Sequence, residues 1–313
     1  MPREIRVSDE LRRKTAAEGS HCAAWLAGLP RLVDEMAMLW KLQIGEPLPG
    51  GTASFVVAST TIDGADTVLK LAMPAEIDGW ETLDLEARVL QEAEGRGCVR
   101  ILAYDPDRHA VLLERLGTRL ADLGLPLSRQ LEIICELVRQ LWTVRPDTEL
   151  PSGRERARLL ATLIPETWEQ VDRPTPARVI DHAVRLADKL LRTDQPHRSV
   201  LVHGDAHASN TLKHPNAADG FRLIDPDGLY AEPEYDLSIS MREYLGELLV
   251  GDAFDLGARR AQHLAALTDT DAERIWEWGN LELVFNGLLL IKTGKNAAAG
   301  RTSLQIAERW AQA

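Results

Sequence analysis

At about Leu116 the chain changes its local character, and that change limits the folds open to it. Before it, short runs rich in β-branched residues recur at 55–61, 67–71, 99–102 and 110–113, parted by turns that carry Gly and Asp. Such runs read as strands. One stretch among them, 83–93, spaces Leu83, Ala87 and Leu90 at helical intervals, with Glu86 beside them. After Leu116 the spacing turns helical. Ser128 is the expected N-cap of a helix whose Leu131, Ile134, Val138, Leu141 and Trp142 share a face. More helices are expected at about 154–172, 176–193, 235–250, 256–267 and 271–293, with strand-like text left only at 200–202 and 221–224. Residues 1–40 read as one or two helices laid on the first unit through Trp25, Leu26, Leu32 and Leu39. The expected class is α+β: a small antiparallel sheet with one helix over 1–115 and a larger helical unit over 116–313, two lobes around a cleft.

Composition excludes several classes of function. A net charge of -12 argues against nucleic-acid binding, which calls for a basic face, and favours a cationic partner. Cys22, Cys98 and Cys135 are odd in number and widely spaced, so neither a disulfide framework nor a zinc site is expected. No signal peptide opens the chain, and no apolar run is long enough for a membrane span, so a reducing cytoplasm is the expected setting.

The segment Leu201-Val202-His203-Gly204-Asp205-Ala206-His207-Ala208-Ser209-Asn210-Thr211-Leu212 joins apolar ends to a polar loop. His203 and His207 stand four apart, yet Gly204 occupies the place where a zinc-protease helix needs Glu. Taken alone, Asp205 and Asn210 are also common turn formers. About fifteen residues further on, a strand ends in the carboxylate of Asp225. Phosphoryl transfer needs a carboxylate at the acceptor hydroxyl, oxygen ligands for Mg²⁺ and positive charge on the nucleotide. Asp205 suits the first need, Asn210 and Asp225 the second. Lys70, a lone cation in an apolar strand with Glu86 as its natural partner, suits the third. The loop containing Gly50, Gly51 and Ser54 lies between strands, where backbone N–H groups can approach phosphate, although a double glycine there is also an ordinary hairpin turn. No Walker A loop, dinucleotide fingerprint or Gly-x-Ser-x-Gly elbow is present, and Lys292-Thr293-Gly294 lacks the Ser-x-x-Lys that a β-lactamase needs.

Five segments carry a family resemblance: Gly50-Gly51-Thr52-Ala53-Ser54-Phe55, Val68-Leu69-Lys70, Leu112-Leu113-Glu114-Arg115-Leu116, the His-Gly-Asp-x-His-x-x-Asn loop of 203–210, and Ile224-Asp225-Pro226-Asp227-Gly228-Leu229 continuing to Glu232-Pro233-x-Tyr235-Asp236-Leu237. Over about 40–295 the chain resembles the aminoglycoside phosphotransferases, within them the streptomycin 6-phosphotransferase and hydroxyurea phosphotransferase branch. The resemblance implies a bilobal, protein-kinase-like fold that uses ATP and Mg²⁺. Asp205 would orient or deprotonate the acceptor hydroxyl, Asn210 and Asp225 would hold the metal, and Lys70 with Glu86 would hold the α- and β-phosphates. Gly50, Gly51 and Ser54 would cover the phosphates, and the hinge with Glu114 and Leu116 would receive the adenine. Asp236 would brace the catalytic loop. Pro226 stands where protein kinases have Phe, which argues against a protein kinase.

The acceptor is harder to read. Asp227, Glu232, Glu234, Asp236, Glu243 and Glu247 face a single Arg242 along 225–247, which suits amino or guanidinium groups but also suits a solvated acidic face. Glu282 and Asn286, one helical turn apart, and Trp278 are further candidates. A cationic, hydroxylated small molecule of the streptomycin kind is the expected acceptor, with hydroxyurea or another metabolite as the alternative. A nucleotide-binding module without turnover is the alternative of another class.

Overall fold

The computed structural model describes residues 5–49, 51, 53–74, 76–77, 80–147, 149–216 and 220–312. By internal contacts the chain divides into two units, Met1–Thr118 with Lys213–Ile224, and Arg119–Leu212 with Asp225–Ala313. A single cut after 115 did not include the return of 213–224 to the first unit.

The first unit is built on a five-stranded antiparallel sheet in the order Leu42–Pro47, Ser54–Thr61, Asp66–Ala72, Ala110–Glu114, Ile101–Asp105. Alternation along the strands sends Phe55, Val57, Leu69 and Leu71 to one face, where Leu11, Leu29, Val33 and Met36 cover them. Those covering residues come from two helices, Asp9–Ala17 and Ser20–Leu39. Ser8 starts the first by accepting from the Leu11 N–H at 3.2 Å. Lys70, between Leu69 and Leu71, points to the opposite face, toward the helix Thr82–Ala93. The first strand, which carries Gly45 and Pro47, is an edge strand, where a proline is tolerated.

The second unit is mostly helical. The helix Leu127–Leu141 begins after Pro126, which stands at the N-cap, so Ser128 lies within the first turn instead of capping it. Gly153–Gln170 opens with a reciprocal capping box between Ser152 and Glu155, and Ala177–Arg192 follows. Glu234–Arg242 ends well before the expected 250. Glu243 is extended and Tyr244 is left-handed at φ 52°. The carbonyls of Glu243 and Tyr244 accept from the Arg260 guanidinium at 2.7 and 3.4 Å, which draws them out of helical register. Ala253–Thr268 and Ala272–Thr293 complete the expected set. A further helix, Ala297–Trp310, packs closely on the long one: a Cβ at Gly300 would lie 2.6 Å from the Gly287 carbonyl oxygen. Gly279 of the long helix meets Met241 so closely that a Cβ there would stand 2.7 Å from the Met241 Cβ. Between the helices, Val200–Val202 and Leu229–Ala231 form a short antiparallel ladder in which Leu229 pairs with Val202. No helix among the described residues is long and apolar enough to cross a membrane.

Candidate active site

The loop grows out of the ladder. After Val202 the chain meets buried His203, turns left-handed at Gly204 with φ 86°, and presents Asp205. Asp236, in the first turn of Glu234–Arg242, holds this turn from beneath. Its carboxylate accepts from the Gly204 N–H at 2.8 Å, the His203 N–H at 3.1 Å and the Trp142 indole N–H at 2.8 Å. These are three donors that burial would otherwise orphan. His203 Nδ1 accepts from the Asp205 N–H at 3.2 Å. His207 caps the short turn Ala208–Asn210 by accepting from the Ser209 N–H, which leaves its Nε2 to face Asp205 at 3.3 Å. The turn brings Asn210 back, and its Nδ2 donates to Asp205 Oδ2 at 3.0 Å.

Arg242 completes the ring around Asp205 by donating from Nη2 to Oδ1. Burial opposes the charge on Asp205. The His207 hydrogen bond and the Arg242 and His203 charges outweigh it and hold the carboxyl below the usual carboxylate range. Arg242 is itself anchored: Nη1 donates to Glu282 Oε2 at 3.0 Å. Glu282 is fully buried, and its Oε1 accepts from Arg156 at 3.0 and 3.2 Å and from the Tyr235 hydroxyl at 3.0 Å.

Part of the acidic segment is likewise balanced from within. Glu232 takes Arg274 at 2.5 Å and the Trp278 indole N–H at 2.6 Å, and Glu234 takes Arg198 and the Asp271 N–H at 3.1 Å. The sequence showed one local arginine, whereas Arg156, Arg198 and Arg274 arrive from distant helices and turns. Glu232, Glu234 and Glu282 are consequently not open carboxylates waiting for a cation, and Trp278 is buried as the partner of Glu232. Asp227 differs. It sits against Gly204, whose added Cβ would lie 2.9 Å from the Asp227 Cβ, and its side chain reaches solvent. The protein around it still strips enough water to push its carboxyl up to about 7, with the Asp205 charge adding to the effect. Asn286 is half-buried on the same helix as Glu282.

In the first unit, Lys70 Nζ lies 2.5 Å from Glu86 Oε2, both side chains nearly closed to solvent. Gly51 is left-handed at φ 75°, and a Cβ there would come within 2.5 Å of the Ser54 carbonyl oxygen, so the turn before the strand that begins at Ser54 requires glycine. Gly50 lies outside the described residues. Glu114 accepts from the Arg100 N–H at 2.8 Å and stands 3.5 Å from His214, while Leu116 is buried.

Among the described residues no three His, Cys, Asp or Glu side chains gather as a metal cage. Asn210 spends its Nδ2 on Asp205, which leaves its carbonyl oxygen for a cation. Asp225, left-handed at φ 59°, adds a carboxylate. Two such oxygen donors would suit a Mg²⁺ ion that keeps waters and takes phosphate oxygens better than an all-protein site.

The family model described as aminoglycoside/hydroxyurea antibiotic resistance kinase matches residues 39–288. A hydroxyurea phosphotransferase from Kitasatospora aureofaciens is 29% identical over 286 residues, covering 88% of this chain and 77% of the relative. A streptomycin 6-kinase from Streptomyces griseus is 28% identical over 299 residues, covering 94% of each. Among solved structures, an aminoglycoside phosphotransferase from Streptomyces rimosus in complex with ADP and streptomycin superposes with a TM-score of 0.52 at 17% identity, covering 81% of this chain and 98% of its own. The fold is thus that of the protein-kinase-like phosphotransferases.

Proposed function

The chain belongs to the aminoglycoside/hydroxyurea antibiotic resistance kinase family, and on that footing we propose that it moves the γ-phosphoryl group of ATP, with Mg²⁺, onto a hydroxyl of a small molecule. The observation that carries this reading is the carboxylate of Asp205, fixed by three side chains and held ionised at the tip of a braced loop. In the reaction, the acceptor oxygen forms a bond to the γ-phosphorus as the bond to the β,γ-bridging oxygen breaks and ADP leaves. Asp205 orients the acceptor hydroxyl and receives its proton. Lys70, kept in place by Glu86, binds the α- and β-phosphates; Gly51 lets backbone amides approach them; the segment with Glu114 and Leu116 receives the adenine. Asn210 and Asp225 would hold Mg²⁺, which would neutralise charge on the phosphates. The three cysteines are buried and in no disulfide, which suits a reducing, ATP-containing cytoplasm.

For the acceptor, a streptomycin-type aminoglycoside fits the open carboxylate of Asp227 beside Asp205, which can take a hydrogen bond from a cationic group next to the reacting hydroxyl. The internal pairing of Glu232, Glu234 and Glu282 favours a second acceptor, a small and less charged one such as hydroxyurea. The test is ATP consumption by the purified protein with Mg²⁺ against streptomycin, other aminoglycosides and hydroxyurea, with Asp205→Ala as the blank. Loss of roughly 10²- to 10⁴-fold in turnover is expected in the blank. ATP binding without turnover on any acceptor would instead mark a nucleotide-binding module.

A further inference from the structure

We propose that Arg242 is the positioning residue for Asp205 and that Glu282 is the anchor that gives Arg242 its place. The inference rests on the phosphotransferase reading, which assigns Asp205 its role, and it adds two residues that motif spacing does not supply. Arg242 ends the helix Glu234–Arg242 and bridges two carboxylates. One guanidinium nitrogen meets Asp205 Oδ1, and the other meets Glu282 Oε2 at 3.0 Å.

Neither end of this bridge is free to move. Arg242 is 14% exposed and Glu282 is closed to solvent, and Glu282 is fixed in turn by Arg156 and by the Tyr235 hydroxyl. A planar guanidinium that is bound on two edges has one orientation left, so it dictates where Asp205 Oδ1 stands. Oδ2 lies on the Asn210 and His207 side. Without Arg242, Asp205 retains only partners on its Oδ2 edge and can swing about that edge. A displacement of about 1 Å at the oxygen that aligns the nucleophile is enough to cost about 100-fold in rate.

The experiment uses the full chain as Arg242→Ala, Arg242→Lys and Glu282→Gln, each measured with MgATP against streptomycin and hydroxyurea and each crystallised. The expected result for Arg242→Ala is a fall of about 100-fold in kcat with the KM for ATP changed by less than about twofold, partly restored by free guanidinium ion. In the crystal structure, Asp205 Oδ1 should leave the place that Arg242 gives it, while Oδ2 stays on its Asn210 side. Arg242→Lys, which cannot hold both carboxylates in one plane, should fall between. Glu282→Gln should lower kcat in the same way with Asp205 itself untouched. If kcat persists in Arg242→Ala, or Asp205 Oδ1 keeps its position in that crystal structure, the proposal is overturned. Loss spread equally over the KM for ATP and thermal stability would also overturn it, by making Arg242 a structural tie. If the unsubstituted protein turns over neither acceptor, the functional reading has failed instead, and the crystallographic comparison still decides the role of Arg242.

Discussion

Replacing Glu282 with Leu should destabilise the second unit far more than any surface ion pair suggests. The side chain accepts four hydrogen bonds, two from Arg156, one from Arg242 and one from Tyr235, and is itself closed to solvent. Removing one member of a buried charge network leaves the others uncompensated, at about 3–5 kcal/mol. The two arginines keep 19% and 14% exposure, so water reaches them in part, and the lower end, about 3 kcal/mol, is the appropriate figure. For a unit of this size that corresponds to a fall in Tm of about 6–12 °C. The assay is thermal unfolding followed by far-UV circular dichroism, with Glu308→Ala as the control. Glu308 meets Arg178 on the surface, with 30% and 53% exposure, and its loss should stay below about 1 kcal/mol. If Glu282→Leu melts within about 2 °C of the parent, the network does not support the unit, and the burial reasoning fails.

Other substitutions probe single features. Gly204→Ala forces a left-handed alanine, at about 1–2 kcal/mol, and drives a Cβ to 2.9 Å from the Asp227 Cβ; turnover should fall sharply with ATP affinity retained, and wild-type kcat would refute the placement. Lys70→Met should raise the KM for ATP and, by stranding buried Glu86, lower stability as well; restoration of stability by adding Glu86→Leu is the check. Burial pushes the Cys135 thiol up to about 12, so it stays protonated and unreactive toward thiol reagents below about pH 9; fast labelling at pH 8 would contradict its packing.

Local periodicity made the sheet readable. The strands Ser54–Thr61 and Asp66–Ala72 lie within one residue of the expected spans, and Lys70 stood out because a cation interrupted an apolar run. The turn of 203–210 was likewise visible in residue order, and the bracing role of Asp236 was implied by the family resemblance. The arginine network was not, because Arg156 lies 126 residues from Glu282 and Arg242 lies 40 from it, separations at which no pattern links partners. The sole available signal was Arg242 itself, a single base in an acidic stretch. The early end of its helix was hidden for a similar reason, since the Arg260 contacts that unwind Glu243 and Tyr244 come from the next helix. The final helix escaped notice because it follows a left-handed stop at Gly294 in an alanine-rich text with few large apolar markers.

The helix Glu234–Arg242 grips the loop of 203–210 twice, through Asp236 at the backbone of Gly204 and through Arg242 at the carboxylate of Asp205. It therefore works as a strut pinned at two points, and any rotation of it is felt at both. The contact between Met241 and Gly279 is where such a strut can be levered from outside the loop. A methyl group added at Gly279 would push on the residue next to Arg242, so loss of activity can begin at a position that touches no substrate.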